Sequence, residues 1–210
     1  MSYYRRERLK KIIFPLVIGA ALLVTGCNEK KDVENNSSNV TAQSEELTIV
    51  KTYDTELGSL EAYYLNDEIE ETHEENGIGL TITSVEYGKV LVNEVHRSTY
   101  EKLADTDGKN TYIKVGVELN AEKDAYEKDE ITFYINQAAI DVQGKEVAAD
   151  STYSENISIS DGKVKEMDKG YLYFIVDASM PFTSLLLNVP APFKDGLSIS
   201  ENYEYKIELQ

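Results

Sequence analysis

Cys27 is the side chain whose chemistry the surrounding sequence defines most closely. It is the only cysteine of the chain and follows Val24, Thr25 and Gly26 at the end of an apolar run. This pattern is typical of a bacterial lipobox, in which small residues let a signal peptidase reach the bond before the cysteine after its thiol has been joined to diacylglycerol. We therefore predict that Cys27 is lipidated and becomes the first residue of the mature chain.

Residues 1–26 have the composition of a lipoprotein signal peptide. A basic start, with five Arg or Lys among the first eleven residues, is followed by the apolar run Ile12 to Val24. As a helix this run spans only about 20 Å, which is short of the roughly 30 Å hydrocarbon core of a bilayer and favours a cleaved leader over an uncleaved membrane anchor. Two acyl chains on Cys27 would then attach the mature protein to the extracytoplasmic side of the cell membrane.

The remainder of the chain divides into a short polar segment and one domain. Residues 27–46 hold almost no large apolar side chain, so we predict a disordered acidic and polar tether behind the lipidated cysteine. Residues 47–210 are enough for a single domain with a sizeable core. Because Cys27 is used for lipid, this domain has no disulfide, and apolar packing must stabilise it.

The charge of the chain limits its partners. The formal net charge is −17 at pH 7, and removal of the basic leader leaves the exported part more acidic still. Such a surface repels nucleic acid, so we expect no nucleic acid partner, whereas cationic partners remain open.

Two stretches suggest metal binding and depart from the motifs that they resemble. His73-Glu74 begins like the helix of a zinc protease, but Gly77 stands where the second histidine belongs. Asp105 and Asp107 begin like a calcium loop, but the EF-hand spacing would place Lys109 at a ligand position and Gly116 where a glutamate is needed. We predict a solvated acidic loop at His73 and a β-turn at Asp105, with Asp105 and Asp107 kept as candidates for a looser calcium site. No other metal and no cofactor are expected.

The catalytic motifs that a sequence can reveal are missing. The chain has no Gly-x-Ser-x-Gly, no Walker glycine loop and, outside Cys27, no cysteine nucleophile. We therefore expect a protein that is not an enzyme. The abundant tyrosines offer contact area at little entropic cost, and Tyr63, Tyr64, Tyr203 and Tyr205 are candidates for a binding face. The alternative is that they are strand residues chosen for β-propensity and partial burial.

Alternating apolar residues predict a series of strands. The clearest runs from Thr111 to Leu119, where Ile113, Val115, Val117 and Leu119 face inward and Lys114 and Glu118 face water. The other predicted strands are 78–87 and 90–95, separated by a turn at Gly88-Lys89, then 131–135, 138–142, 171–176, 185–189 and 203–209. The nearly unbroken apolar run 171–176 suggests a central strand buried on both faces, and 57–65 is ambiguous between a strand and a short helix. Short strands with turns between them predict an all-β, antiparallel β-sandwich of about seven strands.

The order of these strands resembles a known domain. The segments that carry the resemblance are Gly79 to Glu86, Tyr112 to Leu119, Ile140 to Glu146 and Met167 to Asp177. Together they resemble a domain of unknown function found in Gram-positive lipoproteins and similar to the immunoglobulin-like fold of a mycobacterial immunoprotective extracellular antigen. Asn120 matches the Asn that usually closes the central strand of that family, while Lys169-Gly170 stands where the family shows Pro-Gly. The resemblance implies an immunoglobulin-like sandwich over residues 60–209 and no particular activity.

These features lead to two main functional hypotheses, with an enzyme that uses carboxylates as a third. The first is a membrane-anchored, non-enzymatic lipoprotein whose domain binds another envelope or secreted protein. The second is a small-ligand or cation-binding accessory lipoprotein of a transporter. An exposed tyrosine or apolar surface favours the first hypothesis, and a concave acidic pocket favours the second.

Overall fold

The computed structural model describes residues 47–127, 130–166 and 168–209, nearly all of them in antiparallel strands and the turns between them. The strands are β1 Lys51–Asp54, β2 Gly58–Asn66, β3 Glu71–Glu75, β4 Ile78–Val92, β5 Asn110–Ala121, β6 Phe133–Tyr134, β7 Ala139–Val142, β8 Lys145–Ala148, β9 Ile157–Ser160, β10 Lys163–Glu166, β11 Lys169–Val176, β12 Ser184–Val189, β13 Phe193–Lys194, β14 Leu197–Ser198 and β15 Tyr203–Glu208. The helices are α1 Glu94–Tyr100 and α2 Lys123–Glu127, and 3-10 turns occupy Glu101–Leu103 and Ile135–Gln137. Within the described ranges, no helix combines the length and apolar character needed to span a bilayer.

The larger sheet is built around β4. Its strand order is β1-β2-β4-β5-β11, with β3 also paired to β4. The first half of β4 pairs with β3 and the second half with β2, while β5 runs along its whole other edge. The remaining strands form a four-stranded sheet in the order β15-β12-β7-β8, a three-stranded sheet in the order β10-β9-β6 and the hairpin β13-β14.

A β-bulge near Thr83 changes which residues of β4 face the main core. Its inward residues have even numbers up to Ile82 and odd numbers from Val85, a change of phase that an ideal strand does not allow. The register with β5 shifts between Ile82 and Ser84, so one extra residue restores the alternation. Beyond the bulge, Glu86, Gly88 and Val90 therefore face away from the main core.

The main core lies on the inner face of the larger sheet. Ile113, Val115 and Val117 of β5 are buried there, as their alternation predicts. The smaller sheets contribute the side chains that cover them, among them Phe133, Ile140, Leu187, Tyr203 and Ile207. The prediction of an all-β, antiparallel sandwich is confirmed.

The predicted strands of the core correspond to β4, β5, β6, β7, β11, β12 and β15, and 57–65 is strand β2 rather than a helix. The described chain has fifteen strand segments instead of about seven, because short edge strands and hairpins flank the core strands. Three of the local predictions for this region are wrong. Gly88-Lys89 is not a turn but lies within β4, and the acidic stretch around His73 is not a loop but the exposed edge strand β3. The segment 90–95 is not a separate strand, since it contains the end of β4 and the start of α1.

Candidate functional site: the outer face of the larger sheet

A second hydrophobic cluster covers part of the outer face of the larger sheet. It contains Leu57, Leu60, Val90, Val92, Tyr100, Tyr112 and Ile175. Tyr112 is completely buried although it sits on the outward side of β5, opposite the inward Ile113. This part of the outer face is therefore a packed surface beneath α1 and the β1–β2 turn.

A buried carboxyl group joins three strands beside this cluster. Glu86 of β4 is 3% exposed, and its Oε1 accepts hydrogen bonds from the hydroxyls of Tyr112, at 2.6 Å, and Tyr53, at 2.5 Å. Burial, with the hydrogen bond to Glu86 next, raises the pKa of both tyrosines well above the ordinary value. Glu86 thus ties the edge strand β1 and the central strand β5 to β4.

Lys114 lies among tyrosine rings next to Glu86. Its Nζ donates a hydrogen bond to the Tyr53 hydroxyl at 3.1 Å and lies 4.1 Å from the ring centroid of Tyr171 and 5.7 Å from that of Tyr173. Burial lowers the pKa of Lys114. The aromatic faces compensate for part of the water that this ammonium group loses, since a ring face attracts a cation.

Tyr171 is the exposed centre of this face. Its side chain is 41% exposed and lines three pockets, of about 310 Å³, 240 Å³ and 130 Å³. The 310 Å³ pocket also contains Tyr153, Tyr173, Glu56 and Glu155. We call these five residues, Tyr171, Tyr153, Tyr173, Glu56 and Glu155, the Tyr171 surface. They combine aromatic faces with carboxylates, which is a composition suited to binding.

The loop from Asp150 to Glu155 shapes this surface by pairing with the free edge of β11. The backbone N–H groups of Asp150 and Glu155 donate to the carbonyls of Tyr173 and Tyr171, at 2.7 and 3.0 Å. In return, the N–H groups of Tyr173 and Tyr171 donate to Ser154 Oγ at 2.9 Å and Glu155 Oε2 at 2.5 Å. The run 171–176 was predicted to be a central strand buried on both faces. The strand is not central, because it lies at the end of the sheet with its edge satisfied by this loop. Burial on both faces holds for 174–176 but not for Tyr171.

The four tyrosines proposed from the sequence do not form one binding face. Tyr203 and Tyr205 are 0% and 4% exposed and donate hydrogen bonds to the backbone carbonyls of Ile78 and Leu80, which is a correction to their predicted role. Tyr64 is half-buried and stacks on Tyr87 of the main core at 5.1 Å. Tyr63 is half-buried, and its hydroxyl is 3.4 Å from Glu61. These tyrosines belong to the main core or pack against it, as the alternative interpretation of strand residues with partial burial expects.

Asp105 and Asp107 form a turn whose carboxylate is already engaged. Asp105 Oδ1 accepts the backbone N–H groups of Asp107 and Lys109, and Oδ2 pairs with Lys89 at 3.0 Å. The pKa of Asp105 is lowered by these interactions, which outweigh the opposing effect of burial. In the part of the chain that the structure describes, no three His, Cys, Asp or Glu side chains cluster as metal ligands.

The remaining candidates are a polar pocket next to Asp105, the two histidines and the predicted lipidation site. A pocket of about 500 Å³ next to Asp105 is polar, but its charged side chains are paired with each other, Lys89 with Asp105 and Lys145 with Asp177. His73 stacks on Tyr203 at 4.2 Å, and His96 meets the edge of Tyr153 at 5.4 Å.

Cys27, the lipobox Val24-Thr25-Gly26 and the tether lie outside the described residues.

The sequence contained a partial signal for the Tyr171 surface. Alternation correctly places Lys114 on the outward side of β5, and the same rule puts Tyr171 and Tyr173 on one side of β11. It does not reveal that Glu56 and Glu155 approach them, because these residues come from a turn and a loop distant in sequence.

Comparison with known proteins adds no functional information. No protein-family model and no curated protein matches this chain. Among solved structures, the chain is similar to a functionally unknown protein from Listeria monocytogenes EGD-e, with 15% sequence identity and a TM-score of 0.49. The match covers 73% of this chain and 89% of the other.

Proposed function

We propose that this protein is a lipid-anchored, non-enzymatic binding module that faces the extracytoplasmic side of the cell membrane and binds another envelope or secreted protein. The sequence around Cys27 supports the location. The exposed Tyr171 supports the binding role, because an aromatic side chain that is 41% exposed beside an open pocket is the kind of residue that protein interfaces favour.

The lipid anchor is tested by metabolic labelling with palmitate in cells that express the full chain. Wild type should incorporate label and remain with the membrane, whereas Cys27→Ala should incorporate none, because the diacylglycerol is attached through that thiol. Equal labelling of the two chains, or a mature wild-type protein that begins at another residue, would contradict the anchor.

The binding face is tested by photo-crosslinking in intact cells. A benzophenone amino acid placed at Tyr171 should give a discrete protein adduct, since this position contacts the partner in the proposed interface. The matched control is Leu186 of β12, which is 38% exposed and belongs to the four-stranded sheet. Identical adducts from the two positions, or none from position 171, would reject the Tyr171 surface as the interface.

A second candidate function is supported by the 310 Å³ pocket itself. Its volume is at the lower end of that of small-molecule sites, and it contains Glu56 and Glu155. An accessory lipoprotein that captures a small cationic compound for a transporter would use the same residues. In that case position 171 gives no protein adduct, while the small compound binds to the isolated full chain.

A further inference from the structure

The largest of the pockets that Tyr171 lines is also the one with the most uneven charge. Its walls are the β1–β2 turn, with Thr55, Glu56 and Leu57, and the loop residues Thr152, Tyr153 and Glu155, while Tyr171 and Tyr173 of β11 complete it. Among the described residues, no lysine, arginine or histidine lines it. Two carboxylates and three aromatic rings therefore line a space of about 310 Å³ to which no cationic side chain contributes.

The neighbouring pockets differ in this respect. The 240 Å³ pocket contains Lys169 with Glu118 and Glu155, and the 130 Å³ pocket contains Lys51 and Lys114 with Asp67 and Glu86. Positive and negative groups are thus mixed in both. Only the 310 Å³ pocket, of these three around Tyr171, presents negative charge alone, so it is the one that selects for a cation.

Glu155 is held in position before any ligand arrives. Its Oε2 accepts the Tyr171 N–H at 2.5 Å, and its own N–H donates to the Tyr171 carbonyl at 3.0 Å. Gly170 makes this approach possible, because a Cβ at that position would lie 2.0 Å from Glu155 Oε2. A carboxylate fixed in this way loses little conformational freedom on binding, which favours affinity.

The rings of this surface already bind a cation within the chain. Lys114 Nζ lies 4.1 Å from the Tyr171 centroid, and Lys114 belongs to β5, on one side of β11. The 310 Å³ pocket includes the loop on the other side of β11. Tyr171 and Tyr173 therefore stand between an internal ammonium group and an open acidic pocket.

We propose that this pocket receives the charged end of a basic side chain, arginine above lysine, from the protein partner. A guanidinium group is planar, stacks on tyrosine and pairs with carboxylates through several N–H donors. The net charge of −17 adds long-range attraction for a basic partner. This inference rests on the proposed function, of which it names the recognised group.

The test is an NMR titration of the full chain, purified in detergent with ¹³C-labelled tyrosine. The probe is the peptide acetyl-Gly-Gly-Arg-Gly-Gly-amide, and the control probe carries citrulline, which keeps the shape of arginine without its charge. We expect the arginine peptide to shift the signals of Tyr153, Tyr171 and Tyr173 in a saturable way and the citrulline peptide to leave them unchanged.

Two pairs of variants locate the site. Glu56→Gln should weaken binding about threefold to fivefold, the range of a partly exposed ion pair. Glu204→Gln on β15 removes the same charge elsewhere and should leave the affinity unchanged. Tyr171→Ala should abolish the shifts of Tyr153 and Tyr173, whereas Tyr171→Phe keeps the ring face and should preserve them.

Each contrary result overturns this inference. If the citrulline peptide binds as tightly as the arginine peptide, the pocket does not recognise charge. If Glu56→Gln and Glu204→Gln weaken binding equally, the peptide is attracted only by the net negative charge of the protein. Choline that binds more tightly than the peptide would assign the pocket to small ammonium compounds instead. A protein adduct at position 171 without arginine binding would reject this inference and leave the proposed function standing, whereas arginine binding without an adduct would reject the protein partner.

Discussion

Glu86 joins neighbouring strands through buried hydrogen bonds, a role that its local sequence does not predict. It is one of 38 acidic residues, yet it is buried and accepts hydrogen bonds from Tyr53 and Tyr112, which lie 33 and 26 positions away in sequence. A carboxyl group in such a place is stable only because its polar atoms have partners. Its contribution is therefore to join strands, which alternation alone cannot predict.

Removal of a tyrosine hydroxyl should have opposite effects at two positions. Tyr112→Phe takes one donor from Glu86 and should lower the free energy of unfolding by about 1 to 3 kcal/mol. The Tyr153 hydroxyl is buried and has no hydrogen-bond partner in the described part of the chain. Tyr153→Phe should therefore leave stability unchanged or raise it by about 1 kcal/mol. Urea unfolding of the full chain measures both, and equal losses would contradict this account of Glu86.

The candidate tyrosines illustrate a limit of residue patterns. Alternation correctly assigns Tyr203 and Tyr205 to the same side of β15 but does not say which side is covered. Their hydroxyls reach the carbonyls of β4, 125 positions away, so the sheets enclose them. Exposure of Tyr171 could not be predicted for the same reason, because it depends on where the loop from Asp150 to Glu155 stops.

At the scale of elements, β5 was predictable and β4 was only partly so. The period of two in β5 is unbroken, and the strand extends from Asn110 to Ala121, slightly beyond the predicted bounds. In β4, Gly88 suggested a turn. The structure instead places it where the backbone of the neighbouring strand β2 approaches closely, since a Cβ there would lie 2.0 Å from the Glu61 carbonyl oxygen. Glycine is favoured both in turns and where a neighbouring backbone comes close, and the sequence alone does not distinguish the two cases.

The edge of β11 leads to a prediction about the loop that covers it. Glu155→Ala removes the acceptor for the Tyr171 N–H, and this amide should then exchange with solvent about fivefold faster or more, since one hydrogen bond contributes about 1 kcal/mol or more. Glu155→Gln retains a side-chain oxygen and should show a smaller increase. Hydrogen exchange followed by mass spectrometry or NMR compares the two. Unchanged exchange in Glu155→Ala would mean that the side chain does not protect the strand.

The whole molecule has two hydrophobic clusters on opposite faces of one sheet. The main cluster follows from strand alternation, and the sandwich could be predicted from it. The second, around Tyr112 and Ile175, could not, because its cover comes from α1 and the β1–β2 turn, neither of which the sequence predicts. The candidate site lies at the margin of this second cluster, which is why its position was not predictable.

Buried tyrosines make the stability of the whole domain sensitive to alkaline pH. Burial, with Glu86 next, raises the pKa of Tyr173 to about 12, and burial, with Glu75 next, raises that of Tyr203 to about 12. The ordinary value is about 10, so above that pH the unfolded chain releases protons that the folded chain retains. Stability should therefore be complete below pH 10 and fall as the pH rises from 10 to 12.

Urea unfolding at a series of pH values measures this loss. Tyr203→Phe removes one of the groups whose pKa is raised and should flatten the decline. An unfolding free energy that stays constant from pH 9 to pH 12 would contradict the role of these tyrosines.

The pairing of the 150–155 loop with β11 also determines how copies of this protein behave when crowded. The amide and carbonyl groups of Tyr171 and Tyr173 are already engaged within the chain. A neighbouring molecule therefore cannot add a strand at that stretch and propagate the sheet into a fibril. Any recognition at this end of the sheet has to use side chains, so selectivity can change by point substitution while the scaffold stays the same.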